Sequence, residues 1–148
     1  MKTEHEMVRE FMRAFGQRMP ERAALPDVNT MELRADLIRE ELEELVAAYT
    51  ITDYFDAILD LLYVVHGAAA AAGITAEQLE AGFAEVHRSN MSKMWTVEDV
   101  ATWLPHEHDY RLERLEPDLY IVRRADGKVV KSPSYSPANL GKILEGWR

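Results

Sequence analysis

The chain has 148 residues, with 26 acidic against 17 basic side chains and a net charge of −9. Its 47% hydrophobic and 29% charged content is that of a soluble globular protein, long enough for one domain with its own core. The acidic balance speaks against binding nucleic acid through phosphate contacts, and the lack of cysteine excludes disulfides and a thiol nucleophile.

Taken in order, the chain begins with a run of helices. The segment Met1–Glu10 lacks the apolar core of a signal peptide, which points to the cytoplasm. Met7, Phe11 and Phe15 recur at i, i+4 and i+8, with Val8 and Met12 beside them. That spacing predicts a first helix from Thr3 to about Arg18, with these residues on its inner face. Pro20 and Pro26 bracket a polar loop, and Asn29 or Thr30 is placed to cap the next helix.

The stretch Leu37–Val65 organises the rest. At 100° per residue, Glu32, Asp36, Arg39 and Glu43 form one polar arc, while Ile38, Leu42, Leu45, Val46 and Tyr49 lie roughly opposite as a core face. Glu40, Glu41 and Glu44 do neither: they share a stripe with Leu33, Leu37 and Ala48. A joint near Thr50–Thr52 leads to a helix surrounded by Phe55, Ile58, Leu59, Leu61, Leu62, Val64 and Val65, expected to be buried on most sides. Its acids Asp53, Asp56 and Asp60 fall within about 60° of one another, on a stripe shared with Ala57, Val64 and Gly67.

Ionised carboxylates at the edge of apolar surface protonate, pair or bind a cation. No Lys or Arg occurs between Glu40 and Arg88, so a divalent metal is the economical partner. Oxygen-only ligation favours Mg²⁺ or Mn²⁺ over zinc.

Gly73 is expected to end this helix, and Thr75 and Gln78 have the spacing of a capping box for a fourth, with Leu79, Phe83, Val86 and Asn90 facing inward. The apolar run Leu61–Gly73 is too short to span a membrane. Four helices with short connections predict an all-α, four-helix bundle-type fold. The Asp53–Val65 helix has more apolar surface than one such unit covers, which predicts a homo-oligomer, dimer or tetramer.

After Trp95 the texture changes. Val97–Trp103 predicts a short helix, and His106, Glu107, His108 and Asp109 lack an HExxH spacing and suit a surface loop. Leu119–Val122 and Lys128–Lys131 predict strands about a turn at Ala125, Asp126 and Gly127, a small C-terminal hairpin. Pro133 and Pro137 hold a loop, and Pro137–Glu145 suits a last helix capped by Ser136. Among the late cations, Lys93 and Arg124 are the best candidates for substrate contact. Carboxylates that gather a divalent metal beside such a cationic strip suit a phosphate ester or anhydride.

The run from Glu40 to Glu44 matches the EExxE motif of MazG-like all-α nucleoside triphosphate pyrophosphohydrolases. The second motif departs from the usual ExxD, since Ala57 stands where its Glu would be. Asp56 with Asp60 resembles instead the phosphoribosyl-ATP pyrophosphohydrolase-like branch, as do Glu85–Lys93 and the late Asp126, Gly127 and Lys128. The resemblance implies one domain over residues 1–148, with 94–119 as an insertion and 119–131 as the hairpin. It further implies conversion of a (d)NTP and water to (d)NMP and pyrophosphate, on two or three Mg²⁺ or Mn²⁺ ions held by Glu41, Glu44, Asp56 and Asp60. Glu40 would position or deprotonate the attacking water. Lys93 and Arg124 would hold the β- and γ-phosphates, and Asn90 phosphate or sugar. Base recognition would fall to the first helix and the 16–30 loop, through Phe15 or Gln17. Some phage members of the broader family act on dGTP, which makes a purine substrate an expectation. Two other readings remain at this level: a dUTPase-type phosphohydrolase on the same fold, and a non-catalytic helical module holding structural Mg²⁺.

Overall fold

The computed structural model describes residues 1–103 and 110–145; the run from His106 to Asp109 lies outside them. The protein is mostly helical with a small three-stranded antiparallel sheet. It forms two compact units, Met1–Glu80 and Ala81–Arg148.

The first unit is built from α1 (Glu4–Ala14), α2 (Val28–Ala47) and α3 (Ile51–Ala71), with α1 and α2 each packed on α3. Local chemistry sets each start. Thr3 Oγ accepts from the Glu6 N–H while Glu6 returns a carboxylate to the Thr3 N–H at 2.7 Å, a complete capping box. Thr50 and Asp53 repeat the device on α3. On α2 the cap is Asp27, whose carboxylate accepts from the Thr30 N–H at 2.9 Å, so neither Asn29 nor Thr30 has the expected role. The first helix also ends at Ala14, short of Arg18.

The core of this unit is small: Val8, Met12, Ala70 and Ala71, with Met19 packed against it. The inner face of α1 is therefore His5, Val8 and Met12: of the expected residues Val8 and Met12 are in the core, while Met7, Phe11 and Phe15 are exposed. Helix α2 buries no residue. Helix α3 buries only Ala57, Gly67, Ala70 and Ala71, which corrects the expectation of a helix covered on most sides within one chain. On length and composition alone α3 could cross a membrane, a test that the central helix of a soluble bundle also passes. Asp56 and Asp60 in its middle argue for the bundle.

Gly73 closes the unit. Its φ of +71° is left-handed, and a Cβ there would come within 2.5 Å of the Arg22 carbonyl oxygen and 2.9 Å of that of Pro20. Handedness and space both require glycine. The neighbouring Ala24 N–H donates to the Ala72 carbonyl at 2.9 Å, so the loop after α1 is fastened to the end of α3.

Buried His5 makes one test of this packing. Its Nε2 lies 2.9 Å from the Ile74 carbonyl, and its Nδ1 is buried without a partner. Burial pushes the imidazole below its ordinary range; the Ile74 carbonyl opposes this, while His66 and Arg9 reinforce it and Glu77 works weakly against it. A depressed pKa means that the fold holds the neutral ring. Its contribution is intact above the unfolded value of about 6.5 and is lost as pH falls below that toward the folded pKa. The melting temperature is expected to drop between pH 7.5 and 5.5. His5→Gln, which keeps a donor but cannot titrate, should show a shallower drop; equal slopes would assign the loss to another group.

Helix α4 (Ala76–Met91) starts in the first unit and continues into the second. The expected capping box is present: Thr75 Oγ accepts from the Gln78 N–H, and Gln78 returns its amide oxygen to the Thr75 N–H at 3.0 Å. Its expected inner face is not the buried one; Gln78 and Ser89 are buried, while Phe83, Val86 and Asn90 are exposed.

In the second unit, β1 (Trp95–Thr96), α5 (Val97–Trp103), β2 (Tyr110–Glu116) and β3 (Leu119–Arg124) precede α6 (Leu140–Glu145), and the sheet order is β1-β3-β2. The short helix at 97–103 is as expected. The hairpin about Ala125–Gly127 is present as well: the Arg124 N–H donates to the Lys128 carbonyl at 2.9 Å, the Val130 N–H donates to the Val122 carbonyl at 2.8 Å, and Arg123 bridges to Val129. The longer pairing of β3 was not expected: it is with β2, from Tyr110 opposite Arg124 to Glu116 opposite Leu119. Trp95 and Val122 are the buried apolar residues here, and the Trp95 indole N–H donates to the Val130 carbonyl at 3.0 Å. Helix α6 begins three residues later than expected, and Asn139, not Ser136, accepts from its Lys142 N–H.

Candidate active site

The acids of α2 and α3 are brought together by the antiparallel packing of the two helices. Glu41 is the one whose carboxyl is partly withdrawn from water. Its pKa is raised first by that desolvation, then by the charges of Glu44, Asp60, Glu40 and Asp56. That single response ties five of the six acids of the two stripes, all but Asp53, to one locality. Among the described residues none of the five makes an ion pair or accepts a side-chain hydrogen bond. By contrast Asp36 is paired with Arg39, and Glu43 on the same polar arc is exposed. Helical phase thus separates Glu41 from its neighbour Glu43.

A cleft of about 310 Å³ adjoins this cluster, lined by Glu44, Tyr49, Asp53 and Asp56 among others. Asp53 is already committed to the Thr50 cap, and that bond holds its carboxyl below the usual range. It shapes the cleft, and its cap explains its place on the stripe. Among the described residues no three His, Asp or Glu side chains are placed so that they could hold a metal ion as they stand. What the groove offers is carboxylate oxygens that no described cation pairs with, partly desolvated at Glu41. Such a set fits a hard divalent ion such as Mg²⁺ or Mn²⁺.

The expected phosphate contacts lie in the second unit. Lys93 Nζ donates to Asn90 Oδ1 at 2.6 Å, so these two residues are together. Arg124 is instead paired with Asp126 at 2.8 Å. Sequence reasoning passed over Arg34. It reaches from α2 to the loop after α1, where Nη2 donates to Gln17 Oε1 at 2.8 Å, and burial lowers its pKa. The available signal was Gly67, an unexplained glycine within a helix.

Elsewhere in the second unit the strongest charge pair is structural. Arg88 donates through Nε and Nη2 to both oxygens of Glu85, at 2.8 and 2.9 Å, and the Asn139 N–H adds a third bond. Arg88 first, then Asn139, takes the Glu85 carboxyl down to about 2.

A helix pair that lines one groove with unpaired carboxylates, in a mostly helical chain, has the architecture of the all-α pyrophosphohydrolases. Within that class the chain belongs to the phosphoribosyl-ATP pyrophosphohydrolase family, whose sequence model matches residues 8–90. The matched stretch holds α2, α3, every acid of the groove and nearly all of α4. The family is one of hydrolases acting on an acid anhydride. No curated protein matches the chain significantly.

Proposed function

We propose that the protein is a metal-dependent nucleoside triphosphate pyrophosphohydrolase, converting a (d)NTP and water to a (d)NMP and pyrophosphate. The observation that carries this reading is the gathering of Glu41 with Glu40, Glu44, Asp56 and Asp60 where α2 packs on α3, inside the stretch that matches the family, with none of the five in an ion pair among the described residues. Glu41, Glu44, Asp56 and Asp60 would hold two or three Mg²⁺ or Mn²⁺ ions. Bound there, such ions supply positive charge to the phosphates and acidify water. Glu40, exposed at the edge of the cluster, aligns the attacking water and takes its proton. Lys93 and Arg124 hold the β- and γ-phosphates, and Asn90 supports phosphate or sugar. Arg124 must exchange its Asp126 partner for substrate to do so. We place the enzyme in the cytoplasm, with no nucleic acid or membrane partner.

A panel of ribo- and deoxyribonucleotides with Mg²⁺ or Mn²⁺ in ¹⁸O-water, with the products separated and weighed, tests this. Monophosphate and pyrophosphate are the expected products, with the label in the monophosphate because water attacks the α-phosphorus. Label confined to pyrophosphate would mean attack at the β-phosphorus, and inorganic phosphate would mean a different phosphohydrolase. No turnover on any nucleotide would leave a structural ion-binding module.

A homo-oligomer belongs to the same reading. Val46 is 81% exposed, Tyr49 97% and Phe55 59%, on the two helices that carry the site. Leaving such side chains in water forgoes about 1.5–3 kcal/mol each for the larger ones. Light scattering at micromolar concentration is expected to give a dimer or tetramer, and Phe55→Glu to shift it toward monomer. A monomeric parent would overturn the assembly.

A further inference from the structure

A second cavity in the first unit, of about 280 Å³, is lined by Phe11, Gln17, Arg34, Leu37, Tyr63 and Gly67 among others. Its central group is a cation with no counter-charge. The Arg34 guanidinium meets Gln17 Oε1 and, at 3.9 Å, the Met12 sulfur. Its Nε is buried without a partner, and among the described residues no carboxylate pairs with it. An unpaired guanidinium is costly to hold against apolar surface. The chain nevertheless makes room for it. A Cβ on Gly67 would lie 3.0 Å from Arg34 Nη1, and a glycine inside a helix is less stable there than alanine.

The other walls favour a flat ring. Phe11 meets Tyr63 edge to face, with centroids 5.8 Å apart, and Phe15 at 4.3 Å. Phe11 and Tyr63 are each 40% exposed, so both rings still offer surface to a ligand. The cavity is small for a whole nucleotide and suits a base. It also lies at a usable distance from the acids. Glu41 to Arg34 on α2, and Asp60 to Gly67 on α3, are each seven residues apart. Seven residues of helix rise about 10 Å, a span that a nucleoside joined to phosphates at the acidic cluster can cover.

The geometry points to this cavity as the base subsite, with Arg34 as the residue that selects an oxopurine. Arg34 carries only donors, so its complement is an edge of acceptors. The O6 and N7 atoms of guanine or hypoxanthine supply two; adenine places a donor amino group in the first position, and uracil or thymine offers one carbonyl there. The Gln17 amide N–H groups, with the carbonyl taken by Arg34, add a donor of the same sense. The inference rests on the reading that a nucleotide lies along this groove, and the experiment separates the two.

Calorimetric titration of the full chain in EDTA, with GMP, IMP, AMP and ribose 5-phosphate, needs neither metal nor turnover. GMP and IMP are expected to bind roughly tenfold to a hundredfold more tightly than AMP. Arg34→Gln should abolish that preference, bringing GMP and IMP down to the affinity of AMP. Arg34→Lys, which keeps the charge and loses the fork, should also lose most of it. Gln17→Ala, on an exposed loop, should weaken the preference and carries the test if the Arg34 variants do not fold. Equal binding of GMP and AMP, ribose 5-phosphate binding as tightly as GMP, or a preference that survives in folded Arg34→Gln would each overturn the assignment. Base-selective binding without turnover in Mg²⁺ would keep the subsite and remove the hydrolase reading. Turnover without base selectivity would do the reverse.

Discussion

Glutamine at Glu41 or Glu44 is expected to cost about a hundredfold or more in turnover, while glutamine at Glu43 changes it little. Removing groups that merely orient metal ligands typically costs 10- to 100-fold, so loss of a ligand oxygen should cost at least as much. The three residues are sequence neighbours of one type. What separates them is phase: Glu41 is desolvated among the other acids and Glu44 lines the cleft, whereas Glu43 faces solvent. Steady-state kinetics on the best nucleotide of the panel, with circular dichroism to confirm folding, gives the comparison. Equal losses at Glu43 and Glu44 would show that helical phase does not define the site.

The second large effect joins stability to ligation. Asp60 is one of the charges that raise Glu41, so Asp60→Asn removes a repulsion from the metal-free protein. Because Asp60 is exposed, water screens that repulsion, and relief is on the order of 1 kcal/mol. For a chain of this size that is a rise of about 2–4 °C in the EDTA melting temperature. On the proposed reading the same change deletes a ligand, so Mn²⁺ should stabilise the variant less than the parent by binding linkage. Activity and apo stability then move in opposite directions at one residue, as functional sites commonly do. A variant that melts lower both in EDTA and in Mn²⁺ would make Asp60 a structural residue.

Much of the helical architecture was legible because it is local. The capping box at Thr75 and Gln78, the short helix at 97–103 and the acidic stripes all follow from spacing of a few residues. Which apolar face is buried was not legible. On α1 the apolar stripe is wide enough to hold both Val8 and Met12, which are in the core, and Phe11 and Phe15, which are not. Periodicity gives the axis of such a stripe and is silent on which part another helix covers. Strand β2 escaped notice for a related reason. Every residue from Arg111 to Glu116 is exposed, so the strand carries no buried face and no alternation marks it. The Asp27 cap was missed because Asn29 and Thr30 are equally good cap formers two and three positions on, and only the backbone distinguishes them. Arg34 could not be found from charge pattern, since its meaning depends on Gln17 and Gly67, which lie 17 and 33 positions away.

The fastening of the 16–26 loop at Gly73 carries a consequence for inheritance. Two carbonyl groups occupy the space where a side chain at that position would start, so the loop and the glycine can change only together. Among homologous chains, a residue other than glycine at this position should mark a loop of different length or course. The loop also supplies Gln17, so exchanging it as one cassette, with Gly73 left in place, would be the economical evolutionary route to a new base preference on an unchanged acidic groove.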